Sequence, residues 1–179
     1  IRKYLPVPSK RRPVIKLAKV KSIVAHDTVN LNSTALQNVD YYIKSTNEIT
    51  ASAHAFVDDL GVIECIPFEE VAYHVRRVVS NAIDEALAVE LCYFTDLERS
   101  KTAYRHYVEY IKGLCAKYDL NPAMGIVGHY KLDPTRRTDP INAFSRIGKT
   151  WENFIADLSI PNEMVSVPRT LVEELAKYL

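Results

Sequence analysis

His26 and His129 occupy matching places in this chain. Each follows a short apolar, β-prone run (Ile23-Val24-Ala25 and Gly125-Ile126-Val127-Gly128), and each opens a polar stretch. Strand ends are where α/β sheets set their ligand-binding and catalytic groups. A single histidine in such a place is more often a structural hydrogen-bonder than a ligand. Two of them, with an acid in the loop after the second, open a metal reading. That acid is Asp139 or Asp133. Two imidazoles and one carboxylate suit zinc and leave a fourth position for water. Such sets also arise by chance, so spacing alone leaves structural histidines as the alternative.

Glu90 is the next informative residue. It is one acid inside Ala88-Val89-Glu90-Leu91-Cys92, and a carboxylate aimed into a core is costly. Either it faces water on an edge strand, or it is held beside a metal site as a general base. His54 and His74 lie in strand-like segments. Each either lines a cleft or is a satisfied core histidine. His106, between Arg105 and Tyr107, is expected to face solvent.

The elements that must position these groups follow from pattern. Ser22–Ala25 reads as a strand. Asn32 and Ser33 are candidate caps for a helix through Ile43, with Leu36, Val39, Tyr42 and Ile43 at helical spacing. Ala51–Val57 and Val62–Ile66 read as a hairpin about Asp58-Asp59-Leu60-Gly61, and Ala86–Tyr93 as another strand. Asp96 caps a long helix over Leu97–Tyr118, with Tyr104, Tyr107, Ile111, Leu114 and Tyr118 as its buried stripe. Trp151, Phe154, Ile155 and Leu158 mark a last core helix. Residues 159–168 read as a linker, and Thr170 and Glu173 as a capping box opening a further helix. The expectation is an α/β fold, a central mixed β-sheet flanked by helices.

The chain has 179 residues, 47% of them apolar and 25% charged, which suits one packed domain and excludes disorder. A net charge of +1 gives no field to steer it toward a polyanion. Basic residues gather early, at Lys10, Arg11, Arg12, Lys16, Lys19 and Lys21. With Pro6, Pro8 and Pro13 they predict an extended, solvated basic arm over residues 1–18. A contact to nucleic acid or wall polymer is the alternative use of that arm. No apolar run approaches the roughly 20 residues needed to span a bilayer. No secretory signal peptide is read at the first residues. Cys65, Cys92 and Cys115 are odd in number and widely spaced, so they predict packing, not a disulfide framework or a cysteine zinc site.

Four segments, taken in order, resemble the type 2 N-acetylmuramoyl-L-alanine amidases, the family that includes phage endolysins, bacterial autolysins and peptidoglycan-recognition proteins. They are Ile23–Thr28, Ala51–Asp58, Val89–Tyr93, and Val127–Tyr130 followed by Arg136-Arg137-Thr138-Asp139-Pro140. The likeness covers residues 20–158 and is nearest to endolysins of phages of Bacillus-like hosts. It implies that His26, His129 and Asp139 bind Zn2+, that Glu90 is the base, and that Arg137 stabilises the oxyanion. His74 matches a histidine that lines the family's cleft, and His54 falls beside it as a substrate-binding candidate. The implied reaction is hydrolysis of the amide between N-acetylmuramic acid and L-alanine in bacterial peptidoglycan. The expected catalytic domain is residues 1–158, in a monomer; the cysteine usage and the first residues suit a protein made in a reducing host cytoplasm, acting on the wall after release. A C-terminal cell-wall-binding domain is expected beyond residue 179. Three positions depart from the family: Arg137 where many members carry Lys, Ala53 where some carry a catalytic Tyr, and Val29 where Gly is usual. The rivals are a non-catalytic peptidoglycan-binding module of the same fold and a basic-armed nucleic-acid binder, against which the near-zero net charge counts.

Overall fold

The computed structural model describes residues 1–159. Five strands form one sheet in the order β3-β2-β4-β1-β5. They are β1 (Ser22–Asp27), β2 (Ala55–Asp58), β3 (Gly61–Glu64), β4 (Ala86–Leu91) and β5 (Ile126–Gly128). β1 runs parallel to both β4 and β5, β2 runs parallel to β4, and only the β2–β3 hairpin is antiparallel. The expected mixed sheet is therefore present. Strands covered on both faces read as continuous apolar runs, and Ile23, Val24 and Ala25 of β1 and Ala86–Val89 of β4 are all essentially buried.

The hairpin strands are shorter than the alternation suggested. Asp58 Oδ1 accepts from Leu60 N and Gly61 N and closes the turn, with Gly61 at φ +132. Upstream, His54 O still accepts from Cys65 N, but Ser52 N turns away to donate to Tyr73 O, so the strand pairing ends there. Helix α1 (Ala35–Lys44) starts one or two residues later than the candidate caps Ser33 and Asn32 would set it. Its N-cap is Thr34, in a reciprocal capping box with Gln37. Asn32 instead serves the loop, its Oδ1 accepting from Thr95 N. Leu36, placed on the apolar stripe by spacing, is exposed, while Val39 is fully buried.

Helix α2 (Leu97–Tyr118) has the expected bounds, with Asp96 accepting from Glu98 N and Arg99 N. Tyr104, Tyr107, Ile111 and Leu114 are buried, and the helix packs on β2, β3 and β4. Burying each such side chain is worth about 1.5–3 kcal/mol. The Tyr107 hydroxyl donates between Val89 O (3.0 Å) and His26 O (3.3 Å), which ties the helix to the site-bearing ends of β4 and β1. His106 is not a solvent residue: it is half-buried, with Nδ1 2.9 Å from Asp58 O. Four shorter helices complete the fold: α3 (Pro122–Gly125), α4 (His129–Leu132), α5 (Ile141–Arg146) and α6 (Trp151–Ser159). Trp151, Phe154 and Leu158 of α6 are buried as expected. The linker and capping-box helix read after residue 159 lie outside the described residues. No described helix is long and apolar enough to cross a membrane.

The basic arm departs in part from the expectation of a solvated tail. Lys3 N and Leu5 N donate to Glu64 O and Cys65 O, so the arm runs along the β3 end of the molecule, and Leu5 and Leu17 enter the core. Arg12 grips Glu70 through two bonds of 2.8 and 2.6 Å. Arg11 is buried. It donates to Ala51 O and Asn47 Oδ1, and its guanidinium lies 4.7 Å from the Tyr42 ring centroid. Lys10 pairs with Glu48, and Lys21 with Glu85. Arg11 and Arg12 are thus drawn into the fold, while Lys10, Lys16, Lys19 and Lys21 remain exposed, as expected of a solvated arm.

Candidate active site

β1 and β4 pair in a register that sets His26 beside Glu90, and β1 and β5 in one that sets Ala25 beside Gly128. His129 therefore emerges across β1 from Glu90, at the same end of three parallel strands. Gly128 is required by space: a Cβ there would meet the Tyr130 ring at 2.6 Å. Tyr130 N donates to Asp139 O, which brings the loop back over the strand ends.

His26 Nδ1 lies 2.9 Å and His129 Nδ1 3.0 Å from the same oxygen, Asp139 Oδ2. The two imidazole centroids are 4.6 Å apart, and all three residues are buried. One donor atom from each falls within 4.8 Å of the others, the only such group of three among the described residues. Asp139 Oδ1 and His129 Nε2 are buried without partners. Burial lowers the pKa of His26, keeping it neutral, the form that ligates metal. Burial would push the Asp139 acid up, but the contacts from His129 and His26 outweigh it and hold the carboxyl below its ordinary range. Two ring nitrogens and one carboxylate, converging at the floor of the cleft, fit a divalent metal ion such as zinc by donor chemistry.

Asp133, the other candidate acid, is bound elsewhere. It takes a two-bond grip from Arg76, both at 2.9 Å. Glu90 sits on an interior strand, so the edge-strand reading does not hold. Its Oε2 is buried without a partner, while the residue keeps some exposure to the cleft. Burial first, then the charges of Asp139 and Asp27, raises its pKa well above the ordinary value, with Arg137 opposing. Arg137 is exposed and lines the same cleft of about 730 Å³, as do His74, Tyr42 and Tyr73.

The two remaining histidines part company. His74 lines the cleft, with Nδ1 3.2 Å from His26 Nε2. His54 does not line it, contrary to expectation. It is wholly buried, with Nδ1 accepting from Ala88 N and Nε2 donating to Glu70 O, both at 2.9 Å. Burial lowers its pKa to about 4. It is a satisfied structural histidine that joins β4 to the 70–72 segment. All three cysteines are buried and free, as read.

Asp27 was missed as a site-supporting residue. It accepts from Ala143 N (3.2 Å) and Asn142 Nδ2 (3.3 Å), pinning α5 against the end of β1, and burial raises its pKa to about 6. Its only signal is adjacency to His26. Asp27 Oδ1 also accepts from Val29 N, and Val29 stands at φ +48 on the cleft rim, 61% exposed. A left-handed β-branched residue is strained by about 1–2 kcal/mol, and glycine returns about 0.4–1 of that as unfolded-chain entropy. Val29→Gly is expected to raise the melting temperature, which a calorimetric scan checks; a lower value would mean that the valine contacts hold the rim.

The family model described as N-acetylmuramoyl-L-alanine amidase matches residues 16–142. A probable N-acetylmuramoyl-L-alanine amidase of Bacillus licheniformis is 37% identical over 142 residues, covering 74% of this chain and 40% of that protein. N-acetylmuramoyl-L-alanine amidase BlyA of Bacillus subtilis (strain 168) is 32% identical over 145 residues, covering 72% and 39%. This chain thus spans about two fifths of the length of these relatives. Among solved structures, that of PlyL superposes with a TM-score of 0.72 at 27% identity, covering 90% of this chain and 97% of that one.

Proposed function

Because this chain belongs to the N-acetylmuramoyl-L-alanine amidase family, we propose that it hydrolyses the amide between N-acetylmuramic acid and the first L-alanine of the peptidoglycan stem peptide, using zinc. The observation that carries this reading is the convergence of His26 Nδ1 and His129 Nδ1 on one oxygen of Asp139, with Glu90 in register beside His26. Those three residues would hold the ion. When bound there, zinc supplies Lewis acidity to the scissile carbonyl and to a water molecule.

The chain's own groups do the rest. Glu90, held at a raised pKa, takes the proton of the attacking water and passes it to the departing L-alanine nitrogen. The C–O bond forms and the C–N bond breaks, leaving a muramoyl carboxylate and a free amine. Arg137 sets a guanidinium in the cleft, where positive charge favours the developing oxyanion. Arginine in place of the lysine common in the family keeps the charge and offers a planar fork of donors. The open cleft suits a polymeric substrate, and the peptidoglycan wall is the expected partner.

The rival reading, a recognition module that binds without cutting, requires a lost ligand position. All three positions here carry ligating side chains. The test is mass spectrometry of purified wall digested by the zinc-loaded chain. Intact glycan strands and free peptides beginning with L-alanine are expected. New reducing sugar ends, new amino groups inside the peptide, or binding without any product would each overturn the proposal.

A further inference from the structure

We propose that Arg76 is a specificity-determining residue of the cleft: its guanidinium takes the free carboxylate of the residue that follows L-alanine in the stem peptide. This rests on the amidase reading above and adds the charge state of the substrate that the site prefers. Arg76 lines the cleft, whereas Arg77 beside it pairs with Asp84. Only one edge of the Arg76 guanidinium is used inside the protein. Nε and Nη2 donate to Asp133, each at 2.9 Å, and Nη1 has no partner among the described residues. The Arg76 side chain is 41% exposed, that of Asp133 2%.

Asp133 is also tied into the site by its backbone. Its N donates to His129 O and its O accepts from Arg137 N, both at 3.0 Å. One acid thus fixes both cleft arginines relative to His129, Arg137 through the main chain and Arg76 through the side chain. A guanidinium held by one edge is pre-organised to offer the rest, and a second carboxylate is the planar acceptor that fits it. Asp133 offsets the charge of Arg76 at long range, so what remains is short, directed donation. Val75 and Ile83, both buried, line the same cleft, and apolar neighbours strengthen a charge-assisted bond. Arg137 is given to the oxyanion, which leaves Arg76 for a charge that the substrate brings with it. The tether to His129 keeps the guanidinium near the converging donors, so the carboxylate in reach is the first beyond the scissile bond. In wall peptides that residue is a γ-linked D-glutamyl unit, whose α-carboxyl is either free or amidated. The free form is the one that Arg76 grips.

The test uses two soluble muramoyl tripeptides that differ only at this α-carboxyl, one free and one amidated. Binding is titrated calorimetrically on the zinc-loaded chain carrying Glu90→Gln, so that the ligand is not consumed. Cutting is followed on the unaltered chain. The free acid should bind about tenfold more tightly than the amide, the lower range for a charged hydrogen bond, with the difference in KM and not in kcat. Arg76→Gln alone strips a buried acid of its partner, so it is combined with Asp133→Asn, which replaces the ion pair by two amides. That chain should bind the two peptides within about threefold of each other, with its zinc content unchanged. Equal binding of the two peptides by the Glu90→Gln chain overturns the inference without any further variant. A preference that survives in the folded Arg76→Gln, Asp133→Asn chain also overturns it and moves the contact to Arg137. Preferential binding of the acid with no cutting of the muramoyl–alanine bond sinks the proposed function and leaves this inference standing. Binding of neither peptide overturns both.

Discussion

His26→Ala and His129→Ala are each expected to abolish zinc binding, taking metal content from one ion per chain to below roughly a tenth of one after desalting. Each change removes one of three converging donors and leaves a two-ligand site open to water. The zinc-free proteins carry a second signature. Asp139 Oδ2 is buried and contacted by both imidazoles, so either variant takes away one partner. A buried acceptor that loses a partner costs about 1–3 kcal/mol, so both variants should melt lower than the original even without metal. Zinc at 100 times its dissociation constant should stabilise the original chain by about 2.7 kcal/mol and the variants not at all. Elemental analysis together with paired melts, with and without chelator, reads all of this. Full zinc occupancy in both variants would sink the assignment of the ligands. Loss of zinc in one alone would point to a different third donor.

How far the site was legible in sequence depended on whether a residue's partners were local. Helix α2 could be read because its cap, Asp96, and its apolar period lie within the segment itself. The strands that carry His26, Glu90 and His129 were legible because doubly covered parallel strands are continuous apolar runs. Where the partner is distant, pattern was silent. The choice between Asp133 and Asp139 turns on Arg76, 57 positions from Asp133. His54 is bound to the backbone of Ala88 and Glu70, neither of which marks itself in sequence. Arg12 looked solvated because its acid, Glu70, comes 58 residues later. Strand order decided Glu90: only the crossover that puts β4 between β2 and β1 makes it interior and a neighbour of His26. The resemblance to the amidases supplied the ligand set and the base. Spacing had left both open.

Glu90→Gln should lower wall hydrolysis by about 10²–10⁴, the usual worth of a positioned acid–base group. The amide keeps the shape of the side chain and cannot take a proton. Zinc content should not change, because the converging donors are His26, His129 and Asp139. Stability should move the other way from activity. In the zinc-free chain Glu90 has a pKa well above its ordinary 4.5, through burial and then the charges of Asp139 and Asp27. Below that ordinary value the side chain is neutral in both folded and unfolded chains, and Gln offers no advantage. As pH rises above it, the unfolded chain loses its proton first, and the stability of the original falls until the folded group ionises too. The gain from Gln should therefore be absent at acid pH and grow upward from 4.5. Melting curves of the zinc-free pair across pH, and hydrolysis rates of the zinc-loaded pair, separate the roles of this carboxylate. A variant that keeps its rate within about threefold removes Glu90 from the mechanism, since that is far below the expected loss. A variant that loses rate and stability together shows a structural partner. A slow variant that is more stable, with its zinc intact, is what a base strained for its task must give.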